Sequence, residues 1–276
     1  MSSLRKRPVR STRGGPFFMA RGLCCIGTDT KLLYRSDRKL EGDSMIDPPP
    51  VLTVKRDIQR PAPADVAAFV GVPSSFVVDA MDGQGALDFD IQSIAGGDPQ
   101  MSRIVGPALT CYCGPADNLA LFAAVAEAQP GDVLVAGTDR FEGRCVTGDL
   151  VLGMAKNRGA AGLVTDGLVR DLEDILAVGL PVFCRGVTAN SPARTGPGTV
   201  GLEVTLGGVT VAAGDLIVAD RDGVAVVPQA QIIGVLQRLE KIRSDEAELS
   251  AAVKDGLEIP DHIRELLDSD RVRYVD

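Results

Sequence analysis

From Pro63 onward the chain alternates short apolar runs with amphipathic stretches, and the switches between them fall at glycine, proline or aspartate. Ala64 to Val70 and Ser74 to Met81 read as two short helices separated by a turn. Gly83 to Gly97 is a turn-rich link, Arg103 to Cys113 is strand-like, and Asp117 to Ala128 is an amphipathic helix capped by Asp117. Asp132 to Ala136 then reads as a strand entered from Pro130-Gly131, followed by the polar loop Thr138 to Cys145, a candidate lid. Thr147-Gly148-Asp149 marks the start of a helix whose apolar face is Leu150, Val151, Leu152, Met154 and Ala155, with Gly159 as its stop. Ala161 to Thr165 is a buried strand leaving into the tight turn Asp166-Gly167. A short helix ends at Gly179, Val182-Phe183-Cys184 is a strand, and Thr188 to Gly201 is a loop rich in Pro, Gly and Thr. Gly131 to Gly137 (GDVLVAG) and Gly214 to Asp220 (GDLIVAD) echo each other, each a Gly-Asp turn running into a buried strand. Gln229 to Lys254 is a long helix, with Ile232, Ile233, Val235, Leu236, Leu239 and Ile242 at helical spacing. The pattern predicts an α/β fold with a mixed central sheet and a long C-terminal helix. No G-x-G-x-x-G follows a strand, which argues against a Rossmann domain and a nicotinamide cofactor.

Charge divides the chain. Residues 1 to 45 hold ten Lys/Arg and four Asp/Glu, net +6, so the remainder carries -14 of the total of -8. A Gly/Pro-broken basic arm over residues 1–50 is expected to be disordered, with Met45 a candidate start of translation. The acidic body repels nucleic acid and membrane surfaces alike, and its lack of tryptophan leaves little for base stacking. No apolar run approaches the ~18 residues needed to span a bilayer, so a soluble, cytoplasmic protein with no nucleic-acid or membrane partner is expected. Cysteines 24, 25, 111, 113, 145 and 184 contain no C-x-x-C pair and read as free thiols. His262 is the only histidine and lies in the C-terminal tail, which disfavours Ser-His-Asp and Cys-His chemistry. None of the seven lysines sits in an apolar strand where desolvation would prepare it for Schiff-base work.

The candidate chemistry gathers between Thr147 and Asp174. The first turn of a helix starting at Asp149 offers unpaired backbone amides and the positive end of a dipole to an anion. Arg170 presents a planar fork suited to a carboxylate. Asp149 and Asp171 are oxygen ligands suited to a hard cation such as Mg2+, which keeps several waters and takes one or two protein carboxylates. Together these groups describe a pocket for a small α-oxo acid beside a divalent metal. The plainer alternative is a helix-capping Asp149 and a surface ion pair between Arg170 and Asp171. Arg185 and Arg194 are further arginines that could meet an anionic substrate, although an exposed loop arginine is more often a solvated or packing residue.

Asp149, twenty intervening residues, then Arg170-Asp171 is a D-x20-R-D pattern that resembles the class II pyruvate aldolases typified by 4-hydroxy-4-methyl-2-oxoglutarate aldolase. Further blocks resemble the same family in the same order: VVDAMDG (Val77 to Gly83), IVGPALT (Ile104 to Thr110), DNLALFAAVAEAQPGDVLV (Asp117 to Val135), GLPVFCRG (Gly179 to Gly186) and GGVTVAAGDLIVADRDGVAVVP (Gly207 to Pro228). A sister branch, the regulators of ribonuclease activity A, shares the fold without a committed aldolase role.

The resemblance implies the swivelling β/β/α RraA-like fold over residues 51–228, with a C-terminal helical segment, 229–276, at a subunit interface of a homotrimer or hexamer. It implies a Mg2+- or Mn2+-dependent lyase of aromatic degradation that cleaves a 4-hydroxy-2-oxo (di)acid such as 4-hydroxy-4-methyl-2-oxoglutarate to pyruvate and a second oxo acid, with oxaloacetate decarboxylation as a side activity. Gly148, Asp149, Leu150, Val151 and Arg170 would bind substrate, with Arg170 and Asp149 catalytic. Asp171 would hold the metal directly, and Asp149 through water. An acidic residue of the long helix, with Glu246 the best positional match ahead of Asp245 and Glu248, would reach a neighbouring subunit's metal shell through water. The alternative function is a non-catalytic regulator that binds a ribonuclease or helicase.

The arm has too few apolar groups to bury, so removing residues 1–44 should leave the melting temperature and catalytic rate unchanged. A truncated protein that aggregates or loses activity would show that the arm is structural.

Overall fold

The computed structural model describes residues 50–275. The basic arm, apart from Pro50, and the choice between Met1 and Met45 lie outside the described residues. The first elements are β1 (Leu52–Val54), α1 (Pro63–Ala68), α2 (Ser74–Ala80), β2 (Gln92–Ser93), β3 (Ile104–Tyr112) and α3 (Leu119–Glu127). Then come β4 (Val133–Gly137), β5 (Cys145–Thr147), α4 (Asp149–Asn157), β6 (Gly162–Thr165), β7 (Leu168–Val169), α5 (Leu172–Val178) and β8 (Val182–Cys184). The chain continues through β9 (Gly198–Val200), β10 (Val204–Leu206), β11 (Val209–Val211), β12 (Leu216–Asp220) and β13 (Gly223–Val227). A 3-10 turn at Gln229–Gln231 leads into α6 (Ile232–Lys254), and α7 (Asp261–Leu267) follows.

The expected mixed sheet is built on β3. In the strand order β1-β9-β3-β4-β6-β8-β2, the neighbours β3, β4, β6 and β8 run parallel. The other edge of β3 is shared: Ile104–Pro107 pairs antiparallel with β12, and Cys111 and Tyr112 pair antiparallel with β9. A nine-residue strand can serve two neighbours in this way because each takes a different half of its hydrogen-bonding edge.

Side-chain alternation sorts the residues into layers. Leu109, Leu134, Ala136, Leu163, Val182 and Cys184 face one side of the sheet and pack on Leu121 and Ala124 of α3, Leu152 and Ala155 of α4 and Ile175 of α5. Ala108, Val133, Val135, Val164 and Phe183 face the other side and meet Val204, Leu206, Val211, Ile217 and Val226. The result is a helix layer, a mainly parallel sheet and a second β layer. Beyond it, Val77, Ala80 and Met81 pack with Ile232, Val235 and Leu239 of α6 against the β12–β13 hairpin. Only the first half of α6 is buried in this way; residues 243–249 are exposed.

The internal echo is a structural device used twice. Gly131 and Gly214 both turn at positive φ (91° and 96°), and the aspartate after each is buried. Asp132 Oδ2 accepts from the Gln129 N–H at 2.8 Å, and Asp215 Oδ2 accepts from the Ala212 N–H at 2.9 Å. The copies differ in their second partner. Arg60 donates two parallel hydrogen bonds of 2.7 Å to Asp132, while Asp215 Oδ1 accepts from the Gln229 amide. Burial alone would lower the Arg60 pKa, but the bonds to Asp132 outweigh it and raise the pKa above its usual value.

Asp132 is 1% and Arg60 18% exposed at the side chain, so removing one partner strands the other charge away from water. Asp132→Ala should destabilise the fold by about 3 kcal/mol, read as a lower denaturation midpoint at an unchanged slope.

Candidate active site

The parallel strands end in register. Cys111 lies beside Ala136, which lies beside Thr165, and the next pair along the sheet is Val164 with Phe183. The loops leaving these carboxyl ends converge on one cavity of about 210 Å3, lined by Asn118 and Phe122 after β3, Thr147–Val151 and Met154 after β4, Arg170 after β6, and Ser191, Pro192 and Arg194 after β8. Each wall thus belongs to the connection that follows a parallel strand, the place where open α/β sheets collect ligands. The volume is small beside the ~300–1,000 Å3 of drug-sized pockets and suits a metabolite of a few carbons.

The short parallel pair β5–β7 sets the innermost contact. It places Thr147 beside Val169, and the Arg170 N–H donates to the Thr147 carbonyl at 3.0 Å. Gly148 therefore lies directly against Arg170 and Asp171. A Cβ on Gly148 would stand 2.5 Å from Asp171 Oδ2 and 3.2 Å from Arg170 Cγ, so any side chain there would push these two side chains aside. Asp171 is held in the left-handed conformation (φ 60°, ψ 48°), which aspartate adopts more readily than most residues with a Cβ, as Asp82 and Asp139 also do.

Arg170 is held on two sides. Its Nε lies 3.0 Å from Asp171 Oδ2, and a terminal N–H donates to the Ser191 hydroxyl. The ion pair of the plainer alternative is therefore present, and it lies at the edge of the cavity that Arg170 lines. Past Gly148, the first intrahelical bond of α4 is Leu152 N–H to the Gly148 carbonyl at 3.3 Å. The amides of Asp149, Leu150 and Val151 have no such partner, and no side chain caps this helix start. They present donors and the positive end of the α4 dipole. Cys145, just behind the site, is buried, and burial pushes its thiol up, with the Arg170 charge opposing; burial likewise raises Cys184 to about 11. Both are protonated at neutral pH, which removes them as nucleophiles.

Of the residues singled out in the sequence, Gly148, Asp149, Leu150, Val151 and Arg170 line the cavity together, and Asp171 adjoins it through Arg170. Arg194 also lines it, whereas Arg185 is tied to Asp90 at 2.7 Å and Glu142 at 2.7 Å. Glu246, Asp245 and Glu248 are exposed on α6 and take no part in the cavity of their own chain. The expected lid is corrected. Buried Asp166 accepts from the Thr138 amide and hydroxyl and from the Arg140 amide, Tyr112 donates to Asp139, Asn190 Nδ2 donates to the Gly143 carbonyl, and none of residues 138–145 lines the cavity. The hydrogen bond to Asp139 leads the causes that push Tyr112 up to about 12.

Asn118, Phe122, Ser191 and Pro192 were not singled out in the sequence, and Thr147 and Met154 were read only as parts of the helix, not as site residues. The signal was available for Asn118, because asparagine at an N-cap normally caps. Here it stands at the N-cap of α3 without capping, and its buried Oδ1 has no hydrogen-bond partner among the described residues. Asp117, one residue earlier, takes over: Oδ1 accepts from the Leu119 N–H at 2.8 Å, while Oδ2 accepts from the Thr195 and Gly196 amides. Burial pushes the Asp117 carboxyl up, but these amides outweigh it and hold its pKa below the ordinary value.

A family model described as RraA-like, Aldolase/RraA, matches residues 74–226. A Halalkalibacterium halodurans protein named "Putative 4-hydroxy-4-methyl-2-oxoglutarate aldolase" is 39% identical over 192 residues, which is 70% of this chain and 90% of that protein. Among solved structures, Streptomyces coelicolor RraAS2, described as an unusual member of the RNase ES inhibitor RraA protein family, superposes with a TM-score of 0.61 at 28% identity, over 71% of this chain and all (100%) of that one. An uncharacterised protein of Pseudomonas syringae pv. tomato gives a TM-score of 0.63 at 25% identity, covering 72% and 96% of the two chains. With its mixed α/β architecture and these matches, the chain belongs to the RraA-like, aldolase/RraA family.

Proposed function

We propose that the protein is a divalent-metal-dependent aldolase that cleaves a 4-hydroxy-2-oxo acid to pyruvate and a second carbonyl compound, with oxaloacetate decarboxylation as a side reaction through the same pyruvate enolate. The observation that carries this reading is the meeting of three unlike groups at one small cavity: the free amides of α4, the Arg170 fork and a pair of carboxylates. The Halalkalibacterium halodurans relative, with its name of "Putative 4-hydroxy-4-methyl-2-oxoglutarate aldolase", supports it.

The donor set fits a hard cation. Asp171 brings a carboxylate into the space that a Gly148 side chain would fill, and Asp149 opens the adjoining helix. Among the described residues no group of three or more His, Cys, Asp or Glu stands together, so a cation here would have to take most of its ligands from water and substrate. In this reading Asp171 would hold the cation directly, and Asp149 and a neighbouring copy's Glu246 would act through water. When bound, such an ion withdraws charge from an α-keto acid. The exposed second half of α6, with Leu249 and Val253 uncovered beside the acids, leaves a face that a neighbouring copy could cover in the proposed homotrimer or hexamer. Free buried thiols suit the reducing cytoplasm, and no described helix is long and apolar enough to cross a membrane.

The chain's own residues then divide the work. The amides of Asp149, Leu150 and Val151 hold the substrate carboxylate. Arg170, fixed in advance by Asp171 and Ser191, donates to the oxygen on which charge grows as the C3–C4 bond breaks, and a donor so fixed costs no reorganisation during reaction. Asp149 positions the water that takes the 4-hydroxyl proton, since His262 is exposed on α7 and no histidine lines the cavity. The second reading, a non-catalytic regulator of a ribonuclease, draws on the description of the Streptomyces coelicolor neighbour. It requires no turnover, so release of pyruvate from 4-hydroxy-2-oxo acids, or loss of oxaloacetate absorbance, separates the two.

Arg170→Lys keeps the charge but loses the fork. It should lower kcat/KM by about 10^2-fold for aldol cleavage and decarboxylation together; either activity left near the parent value would remove Arg170 from the shared enolate. Asp171→Asn should abolish turnover and weaken Mn2+ binding in titration calorimetry while leaving the melting temperature in place. Turnover that survives this change and chelation by EDTA would end the metal assignment.

Gly148→Ala tests the close approach. The clash falls on the movable ends of Asp171 and Arg170 rather than on backbone, so the fold should hold while kcat/KM drops by about 10^2-fold. A fully active variant would show that the site tolerates displacement of these groups.

A further inference from the structure

The division of work above leaves out Asn118, which lines the cavity and is 2% exposed. Its backbone is committed: the N–H donates to the Ala193 carbonyl at 3.1 Å, and the carbonyl accepts from the Phe122 N–H at 3.2 Å. Its side chain is not. Oδ1 is buried and has no hydrogen-bond partner among the described residues. The capping that an asparagine performs at an N-cap is done by Asp117, whose Oδ1 holds the Leu119 amide while Oδ2 holds those of Thr195 and Gly196. A carbonyl shut away from water without a donor destabilises a fold, so helix capping gives no reason for an amide at this position.

The missing partner is a donor, and the chemistry of the cavity narrows it. Arg170 and Arg194 only donate, Thr147 turns its hydroxyl to the Gly148 carbonyl at 3.3 Å, and the Ser191 hydroxyl receives Arg170. Asp149 and the Asn118 carbonyl remain as acceptors. A 4-hydroxy-2-oxo acid brings ionised carboxylates and a keto group, which accept, and a single donor, the 4-hydroxyl, whose proton must leave. Water brings two donors. A water that gives one hydrogen to Asp149 has a second to give, and the Asn118 carbonyl is an acceptor on the wall of the same cavity. With both hydrogens committed, such a water turns only lone pairs toward the 4-hydroxyl, the orientation that accepts its proton.

The amide is suited to this in two further ways. Its terminal torsion is broad and two-fold, and with no bond on Oδ1 the carbonyl is free to turn to the cavity. An amide also adds no charge, whereas a carboxylate here would be one more anion next to Asp117 in a cavity that Asp149 already lines.

We infer that Asn118 is a positioning residue for the aldol cleavage, its Oδ1 orienting, together with Asp149, the water that takes the 4-hydroxyl proton. This rests on the aldolase reading above. As the O–H bond breaks, its electron pair forms the C4 carbonyl, the C3–C4 pair passes into the pyruvate enolate, and the water carries the proton on to C3. Loss of CO2 from oxaloacetate reaches the same enolate with no 4-hydroxyl proton to remove. Asn118 therefore serves one of the two reactions, whereas Arg170 serves both.

The test sets two reactions of the full chain with added Mn2+ side by side: pyruvate release from 4-hydroxy-4-methyl-2-oxoglutarate and loss of oxaloacetate absorbance. Asn118→Leu, close in shape and without an acceptor, should lower kcat/KM for the hydroxy acid by about 10- to 100-fold, mainly through kcat. Decarboxylation and the inhibition constant of pyruvate should stay at the parent values. The melting temperature should be no lower than the parent's, since a buried carbonyl without a donor is removed. Asn118→Ala should give the same split where the larger side chain disturbs α3. Asn118→Asp, which keeps an oxygen in the place of Oδ1, should recover part of the aldol rate. An equal loss in both reactions, or an aldol rate near the parent's in the Leu and Ala variants, would overturn the assignment while leaving the aldolase reading standing. A parent that releases no pyruvate from the hydroxy acid would overturn the aldolase reading itself, and this assignment with it.

Discussion

The parallel register of β3, β4, β6 and β8 is the constraint on which the site depends. Parallel strands deliver their carboxyl ends to one edge, so four stretches far apart in sequence leave the sheet side by side. Asn118, Gly148, Arg170 and Arg194 belong to these four exits. The alternation that buries Leu109, Leu134 and Leu163 under the helices and Val133, Val135 and Val164 under the second β layer also fixes register, because a one-residue slip would turn each strand inside out. Core packing and site geometry are therefore set by the same pattern.

Buried aspartates do for the loops what register does for the strands. Asp117, Asp132, Asp166 and Asp215 each accept backbone amides from a neighbouring turn. A carboxylate with several acceptor sites can satisfy donors from two segments at once, and its burial makes leaving any of them unpaired costly. Asp117 joins the start of α3 to residues 195 and 196, and Asp166 joins the ends of β4 and β6. Loops held this way can present Arg170 and Arg194 without the reorganisation that a flexible lid would require.

Family membership alone leaves the activity open, since members described as inhibitors of RNA processing share this fold with those named as aldolases. The distinction lies in the groups at the edge of the sheet. A surface that binds a partner protein has no need of a glycine keeping space beside a left-handed aspartate, or of a helix start left uncapped next to a clamped arginine. These features are what the proposed aldolase reading rests on.

By itself the sequence determined the elements with long or well-bounded patterns. The start of α4 at Thr147-Gly148-Asp149, the buried run of β6, the stops at Gly159 and Gly179 and the length of α6 rest on periodicity and on turn residues, which act within a few positions of themselves. The neighbourhood of Asp149, Arg170 and Asp171 was legible through the D-x20-R-D resemblance. Strands β5, β7 and β9 were not, because two or three residues are too few to show a period and their pairing partners are distant in the chain. Only the tertiary structure decided that the candidate lid is tied down, that Asp117 holds residues 195 and 196 as well as α3, and that Asn118, Phe122, Ser191 and Arg194 share a cavity with Arg170. Each of these depends on a contact between segments tens of residues apart, and such contacts exist only once the parallel sheet has brought its loops to one edge.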